Sequence, residues 1–287
     1  MSEKLHCVIV DAGATKTDFA VLEDRNLVHR FFSSGINANY SEDEFIDGVF
    51  AQFMSSLPEE MKSVDDFIYY GAGCSTDQNA SRISRRIKKY FPGARSRVLS
   101  DLMEACHALC GRNKGLVGIL GTGSSSCLYD GSKVIMQAPS LGYMLGDEGS
   151  GTHLGKKLIY HYLMERLPAY LRRKLETEFD INPAKVIQRI YREAAPNRFF
   201  ASFAPFMQQH IEDAFIQQIC KASFAEFFDC QIAYYDTNDY DKLHLTGSIA
   251  YHFRAQLAEV ATAKGVSLGT VVAAPMNDLL KYYTSDL

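Results

Sequence analysis

The strongest constraint on the fold is a strand–turn–strand pattern that occurs twice in the chain. Residues 7–22 read CVIVDAGATKTDFAVL, and residues 115–134 read GLVGILGTGSSSCLYDGSKV. In both stretches an apolar run meets a short segment rich in small residues and is followed by a second run, which is typical of two strands joined by a tight turn. Each stretch opens one half of the chain, so the pattern predicts a duplicated α/β fold.

Strand and helix patterns alternate after the first turn. The first half is predicted to contain strands at 5–11, 17–23, 26–32, 66–72 and 96–100, and helices at 42–56, 78–90 and 101–111. The second half is predicted to have a helical block at 150–236 with one long helix at 206–235, then strands at 242–247 and 270–273 and helices at 248–264 and 276–283. We therefore expect a first lobe at 1–113, completed by the C-terminal helix at 276–287, and a second lobe at 114–275.

The composition limits the class of protein. The chain has 287 residues, of which 47% are hydrophobic and 22% charged, and a net charge of −4. This balance provides no electrostatic footprint for nucleic acid or for an anionic membrane. No apolar run approaches the roughly 20 residues that span a bilayer, and the run after Lys4 is interrupted by His6 and stops at Asp11, unlike a signal peptide. We expect a cytoplasmic protein that binds neither nucleic acid nor membrane.

Two features have both a functional and a structural interpretation. Residues 82–89 are rich in Arg and Lys, which suggests nucleic-acid binding, but Ile83 and Ile87 recur at helical spacing and favour an amphipathic helix with a solvated basic face. Cys106 and Cys110 are four residues apart on a predicted helix. No second pair accompanies them as in a zinc site, so burial as small apolar residues is favoured over a metal site.

The residues at the two turns suit a bound polyanion. Gly, Ser and Thr allow backbone N–H groups to approach a phosphate closely, and the hydroxyl groups add donors. Neither turn fits the Gly-x-x-x-x-Gly-Lys-Ser/Thr motif of a P-loop, and no Gly-x-Gly-x-x-Gly opens a helix after a strand as in dinucleotide-binding folds. Asp11 ends the first predicted strand, where a carboxylate suits a water-mediated Mg²⁺ contact; a purely turn-forming role is the alternative.

Further acidic residues precede predicted helices. Asp101 begins the sequence Asp-Leu-Met-Glu, which resembles a capping box and on its own favours a role as N-cap. Asp147 and Glu148 precede a helix predicted to begin near Ser150, which is also consistent with capping. However, the sequence GDEGSG at 146–151 places three glycines around these acids. That is more backbone freedom than a cap requires.

Four short stretches, in this order and spacing, resemble one superfamily. They are DAGATKT at 11–17, GTGSSS at 121–126, LGYMLGDEGSG at 141–151 and LTGSIA at 245–250. Together they resemble the actin/Hsp70/sugar-kinase superfamily, and within it the N-acetylglucosamine kinase branch of the BadF/BadG/BcrA/BcrD ATPase family. The resemblance covers nearly the whole chain. It implies a two-lobed actin-like ATPase fold of duplicated ribonuclease H-like β-β-β-α-β-α-β-α units.

The resemblance also implies a reaction, which is phosphoryl transfer from ATP, with Mg²⁺, to the 6-hydroxyl of N-acetylglucosamine or a related amino sugar. It implies that Asp101 is the base and that Asp11 contacts Mg²⁺ through water. The residues implied in nucleotide and phosphate binding are Asp11, Gly13, Thr15, Lys16, Thr17, Gly121, Thr122, Gly123 and Ser124 at the two turns, and Gly247 and Ser248 on the adenosine side. Those implied in sugar binding are Asn37, Ser125, Leu141, Gly142 and Asp147.

Three departures from the family pattern bear on these expectations. The first turn reads Asp-Ala-Gly-Ala-Thr, whereas the family commonly has Asp-Gly-Gly-Gly-Thr; Ala12 and Ala14 are compatible with the turn if their φ angles are negative. Leu141 stands where animal N-acetylglucosamine kinases have Trp, and Ser125 stands where they have Asn. Because the last two changes touch the predicted sugar pocket, the sequence supports the reaction better than the identity of the sugar.

The same family contains activator ATPases, which couple ATP hydrolysis to a partner protein and hold an iron–sulfur cluster between two subunits. Their cluster cysteines lie in the region after GDEGSG, where this chain has no Cys between Cys127 and Cys220, so a kinase is favoured. A related sugar-responsive repressor would carry a helix-turn-helix domain before the first strand, which we expect to begin by Leu5. The helical insertion at 150–236 is longer than an ATPase lobe needs and is a candidate homodimer interface.

Overall fold

The computed structural model describes residues 5–285, which divide into two compact units. Unit 1 contains residues 5–111 together with 275–285, so the C-terminal helix belongs to the same unit as the first strand. Unit 2 contains Arg112–Ala274. Of the lobes expected from the sequence, residues 1–4 and 286–287 lie outside the described residues.

Unit 1 is built on a five-stranded mixed sheet. Its strands are β1 (His6–Ala12), β2 (Lys16–Glu23), β3 (Asn26–Ser34), β4 (Asp66–Gly71) and β5 (Arg95–Ser100). Their order in the sheet is β3-β2-β1-β4-β5, with β1, β2 and β3 antiparallel and β4 and β5 parallel to β1. Parallel strands end at the same edge, so the residues after β1, β4 and β5 are neighbours.

Unit 2 contains a second sheet of the same topology. Its strands are β6 (Gly115–Leu120), β7 (Ser124–Tyr129), β8 (Val134–Gln137), β9 (Leu243–Thr246) and β10 (Leu268–Val272). Their order is β10-β9-β6-β7-β8, so β6 takes the place of β1 and β9 that of β4. The predicted duplicated α/β fold is confirmed.

Helices cover the sheets and form most of the segment between β8 and β9. They are α1 (Asp43–Ser56), α2 (Asp77–Tyr90), α3 (Asp101–Cys110), α4 (Gly142–Leu145), α5 (Gly151–Leu163), α6 (Ala169–Phe179), α7 (Pro183–Arg192), α8 (Pro196–Ala201), α9 (Ala204–Gln209), α10 (Ala214–Cys230), α11 (Ser248–His252), α12 (Arg254–Ala263) and α13 (Met276–Thr284). Short 3-10 turns add Glu59–Met61 and Ile232–Tyr234. None of the helices within residues 5–285 combines the length and the apolar character needed to cross a membrane.

Two predicted helices are wrong in their extent. The helix predicted at 206–235 is interrupted between α9 and α10, where Asp213 accepts the Phe215 and Ile216 N–H groups at 2.9 and 3.4 Å. This N-cap satisfies amides that would otherwise bond to the preceding turn, so a new helix begins there. The helix predicted at 248–264 is divided at the buried Phe253. Apolar spacing continues across both breaks and therefore does not reveal them.

The basic face of α2 is structural. Ile83 and Ile87 are fully buried, as the amphipathic interpretation predicts. Arg82 and Arg86, each adjacent in sequence to one of these isoleucines, form ion pairs with Asp43 of α1. Helix α2 therefore packs against α1 through its apolar face and is tied to it by charge. Cys106 and Cys110 of α3 are also buried, in agreement with the favoured interpretation.

Aromatic side chains dominate the core of unit 1. Phe50 of α1 is fully buried, and its ring centroid lies 6.0 Å from that of Phe67 and 6.2 Å from that of Phe19. Phe19 and Phe53 stack at 4.3 Å. These contacts hold α1 against the sheet face beneath β1 and β2, the hairpin that carries the first turn.

We expect Phe50→Ala to lower the free energy of unfolding by about 3–5 kcal/mol, because the substitution leaves a cavity among these rings. Phe45→Ala is the matched control, since Phe45 lies on the same helix and is 43% exposed; it should cost less than about 1 kcal/mol. Chemical denaturation of both variants measures the difference. Equal losses would contradict this account of the core.

Candidate active site

The turn between β1 and β2 is closed by backbone hydrogen bonds and supported from below by Gly35. The Gly13 N–H donates to the Lys16 carbonyl at 2.9 Å, and the Gly35 N–H donates to the Thr15 carbonyl at 3.0 Å. A Cβ on Gly35 would lie 2.5 Å from backbone atoms of Gly13, Ala14 and Thr15. Only glycine allows so close an approach. No local sequence pattern marks Gly35, because the residues of the turn that it contacts are about twenty positions away in the chain.

The other residues of this turn either support its backbone or carry an exposed charge. Neither Ala12 nor Ala14 has a positive φ. Both alanines therefore meet the requirement for a negative φ angle and are compatible with the turn. Thr17 is fully buried, and its hydroxyl donates to the Ser34 carbonyl at 3.0 Å. Its side chain therefore joins β2 to β3 and holds the turn in place. The Lys16 side chain is exposed, with its Nζ 4.0 Å from a carboxylate oxygen of β2.

Four carboxyl groups are concentrated where β1 ends and α3 begins: those of Asp11, Asp18, Asp101 and Glu104. Burial, followed by the charge of Asp18 and, more weakly, that of Asp101, raises the pKa of Asp11 from 3.8 to about 7. Asp18 faces Asp11 across the β1–β2 pair and is neutralised by Arg30, which donates to its two oxygens at 3.0 and 2.7 Å. Within residues 5–285 no Arg or Lys forms an ion pair of this kind with Asp11, and Lys16 acts on it only through its charge. A divalent cation near Asp11 would offset this negative charge, so the residues present fit Mg²⁺.

Glu104 is the member of this group that sequence analysis does not assign. The capping-box pattern places it at the helix surface, but its side chain is only 3% exposed, and its Oε1 has no hydrogen-bond partner among residues 5–285. Burial and the charges of Asp11 and Asp101 raise its pKa well above 4.5. These effects favour the protonated form of Glu104, and its hydrogen bond with Asp11 opposes the rise in the pKa of Asp11.

The N-cap of α3 is Ser100, which corrects the capping interpretation of Asp101. The Ser100 Oγ accepts the Met103 N–H at 3.3 Å, and Asp101 is the first residue of the helix, with its Oδ1 accepting the Leu102 N–H at 3.0 Å. Burial raises the pKa of Asp101 to about 6, although that hydrogen bond opposes the rise. Because Ser100 already caps the helix, the Asp101 carboxylate is available as a proton acceptor near neutral pH.

Asn37 lies in the loop after β3, at the same edge of the sheet. It forms an isolated parallel bridge just beyond the end of β4, and its Oδ1 accepts the Asn39 N–H at 2.9 Å. Gly73 has a φ of +80°, and a Cβ there would lie 2.8 Å from that same Oδ1. Arg82 of α2 donates to the Ala38 carbonyl at 2.9 Å and so fixes the loop. The structure thus places Asn37 at the edge where β1 and β4 both end.

The turn between β6 and β7 is anchored by the first turn of α5. The Gly121 N–H donates to the Gly123 carbonyl at 3.0 Å. The carbonyls of Gly121 and Thr122 accept the N–H groups of Gly151 and Thr152 at 2.8 and 3.1 Å, and the Thr152 hydroxyl adds a bond of 2.6 Å to Thr122. Helix α5 therefore orients this turn by donating hydrogen bonds to the carbonyl groups of the turn. Thr152 is a second supporting residue that local sequence patterns do not reveal.

Asp147 lies against the same turn. Its φ of +61° is left-handed, and its Oδ1 accepts the Ser124 N–H at 3.3 Å. A Cβ on Gly123 would lie 3.1 Å from its Oδ2. Burial raises the pKa of Asp147, while the Ser124 hydrogen bond and the charge of Lys156 oppose the rise. A phosphate at this turn would compete with Asp147 for the Ser124 amide.

Gly247 supports the second turn from the neighbouring strand. It follows β9 with a φ of +117°, and a Cβ there would lie 2.3 Å from the Leu120 carbonyl oxygen and 3.1 Å from the Gly121 nitrogen. Its own N–H donates to the Val272 carbonyl at 3.0 Å. Ser248 begins the short helix α11 directly after it. Glycine is therefore required at 247 by both its backbone angle and its contact.

The remaining residues predicted to bind sugar are on β7 and in the segment after β8. Ser125 pairs with Ile119 of β6. Leu141 is 57% exposed, and Gly142, with a φ of +69°, begins α4. A Cβ on Gly142 would meet no atom within 4 Å. Leu141 and Gly142 thus stand at an open part of the surface, whereas Asp147 lies against the turn.

We expect Asp11→Asn to raise the thermal stability of the protein at pH 8 and to raise it clearly less at pH 5. The folded pKa of Asp11 is about 7 against 3.8 for an ordinary Asp, so the folded state binds this proton more tightly than the unfolded state. The contribution of Asp11 to stability is then lost as the pH rises from about 4 through 7. Asn carries no charge to bury, so melting curves without divalent cations should show a gain of at least about 3 °C at pH 8.

Asp130→Asn provides a control of opposite sign. The backbone N–H groups of Lys133 and Ser132 hold the pKa of Asp130 below its usual value, so its stabilising effect is present above that value and lost in acid. This variant should not gain stability at pH 8. A lower melting temperature for Asp11→Asn at pH 8 would contradict the account of the carboxyl group cluster.

Comparison with known proteins gives matches among solved structures. No model of a protein family and no curated protein matches this chain. The chain is 34% identical to a protein of Porphyromonas gingivalis proposed to be an N-acetylglucosamine kinase, with a TM-score of 0.92 over 97% of this chain and 98% of that one. A protein of Chromobacterium violaceum with the same proposed activity is 17% identical, with a TM-score of 0.74 over 98% of each chain. A proposed N-acetylmannosamine kinase of Listeria monocytogenes is 13% identical, with a TM-score of 0.52 over 98% of each chain.

These matches carry different weight. The second and third show the fold alone. The first covers both units at 34% identity, and it agrees with the duplicated sheets and with the placement of the four short stretches that carry the resemblance. The chain belongs to the N-acetylglucosamine kinase-like branch of the BadF/BadG/BcrA/BcrD ATPase family.

Proposed function

We propose that the protein is an ATP-dependent sugar kinase that phosphorylates the 6-hydroxyl of N-acetylglucosamine or of a related amino sugar. The observation that carries the proposal is the state of Asp101. It is a carboxylate at the end of the sheet, its pKa is about 6, and Ser100 relieves it of capping the helix. The family of the chain and the sugar kinases among its structural neighbours support the same reaction class.

In this proposal Asp101 accepts the proton of the sugar hydroxyl during phosphoryl transfer. A general base works best when its pKa lies near the working pH, and burial raises the pKa of Asp101 toward that range. The Leu102 N–H, at 3.0 Å from Oδ1, orients the carboxylate. Asn37, held by its loop at the same sheet edge, would hydrogen-bond the sugar.

Residues proposed to bind the nucleotide occur in each unit. In unit 1 Asp11 would contact Mg²⁺ through water, and the turn with Gly13, Thr15 and Lys16 would bind phosphate oxygens. Bound Mg²⁺ supplies charge that offsets the phosphate oxygens during transfer. In unit 2 the 121–124 turn would bind phosphate, and Gly247 and Ser248 would lie on the adenosine side. The use of ATP agrees with the cytoplasmic location predicted from the sequence. The predicted homodimer stays a prediction.

The test is a screen for ADP release with amino sugars and plain hexoses, followed by identification of the phosphorylated position. We expect N-acetylglucosamine or a close relative to be the best substrate and the 6-phosphate to be the product. Hydrolysis of ATP that no sugar stimulates, without a sugar phosphate, would contradict the proposal and favour the activator-type ATPase.

We expect Asp101→Asn to lower kcat by about 10²–10⁴-fold, because an amide cannot accept the proton. Asp77→Asn is a matched control, since Asp77 is likewise the first residue of a helix whose preceding residue, Thr76, provides the side-chain cap. That control should leave kcat unchanged. Steady-state kinetics and melting curves on both variants separate catalysis from helix stability. A kcat within about threefold of the parent for Asp101→Asn would remove Asp101 from the mechanism.

We also expect the N-acetyl group to be recognised less strictly than the family pattern implies. Leu141 supplies no flat stacking surface, and Ser125 reaches less far than Asn. Glucose should be rejected by less than about 10⁴-fold in kcat/KM relative to N-acetylglucosamine. Leu141→Trp should raise that ratio by about tenfold, whereas Met144→Trp, at a 77% exposed position of the same segment, should not. A greater rejection of glucose by the parent would contradict this.

A further inference from the structure

A groove between α5 and α10 of unit 2 has no role in the proposed reaction. Its volume is about 430 Å³, within the range of small-molecule sites. Five of its lining residues are spaced along one face of α5, and Phe215 of α10 faces them. The α5 residues are His153, Lys156, Lys157, Tyr160 and His161. Two helices that met only to bury apolar surface would not place two lysines and two histidines at their contact.

The charge of this groove favours an anion. Among the described residues that line it, two are Lys and none is Asp or Glu. Burial lowers the pKa of His153 to about 4 and also lowers the pKa of His161, so the positive charge of the lining comes from Lys156 and Lys157. Glu226 lies outside the lining and pairs with Lys157 at 2.5 Å and with His153 at 3.2 Å, and the charges of Asp147 and Glu148 act on Lys156. Arg166 adds further positive charge at one end, with its guanidinium 5.9 Å from the centre of the Tyr160 ring.

The groove also has flat and polar walls. The ring of Tyr160 is about half exposed, and the Phe215 ring lies 5.1 Å from that of His161. The Nδ1 of His161 is buried without a hydrogen-bond partner among residues 5–285, which leaves a polar atom unsatisfied beside the groove. Rings of this kind suit the face of a compact cyclic ligand, and the lysines suit its charged group.

We propose that the α5/α10 groove is a second binding site, which takes a phosphate monoester of a compact polar ring, such as a sugar phosphate. The phosphate would contact Lys156 and Lys157, and the ring would lie between Tyr160 and Phe215. The volume is too large for inorganic phosphate alone, and the aromatic walls would remain uncovered by it.

Lys156 connects this groove to the segment after β8. Its Nζ donates to the Tyr143 carbonyl at 2.6 Å, while the first turn of the same helix holds the 121–123 turn. A phosphate that binds Lys156 competes with the Tyr143 carbonyl and loosens the segment from Leu141 to Asp147. The site would therefore weaken sugar binding when occupied; this consequence, unlike the binding site itself, rests on the proposed function.

The chain contains no Trp, so a single Trp in place of Tyr160 provides a reporter confined to the groove. We expect glucose 6-phosphate to change the emission of the Tyr160→Trp protein in a saturable way, glucose to leave it unchanged, and inorganic phosphate to bind at least about tenfold more weakly. Tyr191→Trp, at an exposed position of α7 in the same unit, should show no response.

Lys157→Met in the reporter protein should raise the dissociation constant of glucose 6-phosphate by about tenfold or more, since a charge-assisted hydrogen bond is lost. Lys221→Met on α10, which removes a lysine that pairs with Glu259 outside the groove, should change it by less than about twofold. At an ester concentration near the dissociation constant of the parent, the ester should also speed amide hydrogen exchange of residues 141–147 in the parent and clearly less in Lys157→Met. These readouts need no turnover, so they stand whether or not the protein phosphorylates a sugar.

Three results would overturn the proposal. One is the absence of a saturable change up to about 10 mM glucose 6-phosphate, well beyond the range of weak binding. Another is an equal affinity for inorganic phosphate, which would reduce the site to a general anion contact. The third is a dissociation constant that Lys157→Met leaves unchanged, because the phosphate would then lie elsewhere.

Discussion

Both proposed phosphate turns depend on backbone packed directly against backbone, with a glycine at each contact. Gly35 lies beneath the first turn and Gly247 beneath the second, and a Cβ at either would come within 2.5 Å of a backbone atom. A turn that is supported this closely has few alternative positions, so its N–H groups keep one arrangement before any anion arrives. The two units reach this result from different strands, because Gly35 follows β3 whereas Gly247 follows β9. The duplication thus preserves the sheet order but not the residue that supports the turn.

The cluster of carboxyl groups at the end of β1 is energetically unfavourable for the folded state. Burial raises the pKa values of Asp11, Asp101 and Glu104 together, and each ionised group makes ionisation of the others less favourable. A chain selected only for stability would place neutral residues there. The hydrogen bond between Glu104 and Asp11 favours the ionised form of Asp11 and limits the rise in its pKa. A cation bound there would offset the charge of that carboxylate. The charge of Asp101 raises the pKa of both groups, and burial raises its own pKa to about 6, so Asp101 can exchange a proton near neutral pH.

The sequence predicts the sheets of this protein well and the supports of its site poorly, for a physical reason. Apolar runs such as 7–10 and the small residues after them are local signals, and they locate the strands of both units except β8. Gly35, Thr152 and Glu104 act through contacts with residues far away in the chain, so no local pattern marks them. The break at Asp213 is hidden for a related reason, since the apolar spacing continues across it and only the side-chain cap ends the helix. Asp101 is a milder case, because Ser100 beside it is an equally good cap and the sequence does not say which one is used.

The departures from the family pattern affect the proposed reaction and its sugar specificity differently. At Ala12 and Ala14 the backbone has negative φ, so a methyl group is accommodated and the course of the turn does not depend on glycine at those positions. The position that does not tolerate a side chain is Gly35, outside the motif, and this chain keeps glycine there. The changes at Leu141 and Ser125 are different in kind, since they alter the side chains that would face a sugar and leave the backbone unchanged. Under the proposed function, the alanines of the first turn need not weaken phosphoryl transfer, whereas the changes at Leu141 and Ser125 would affect which sugar is bound.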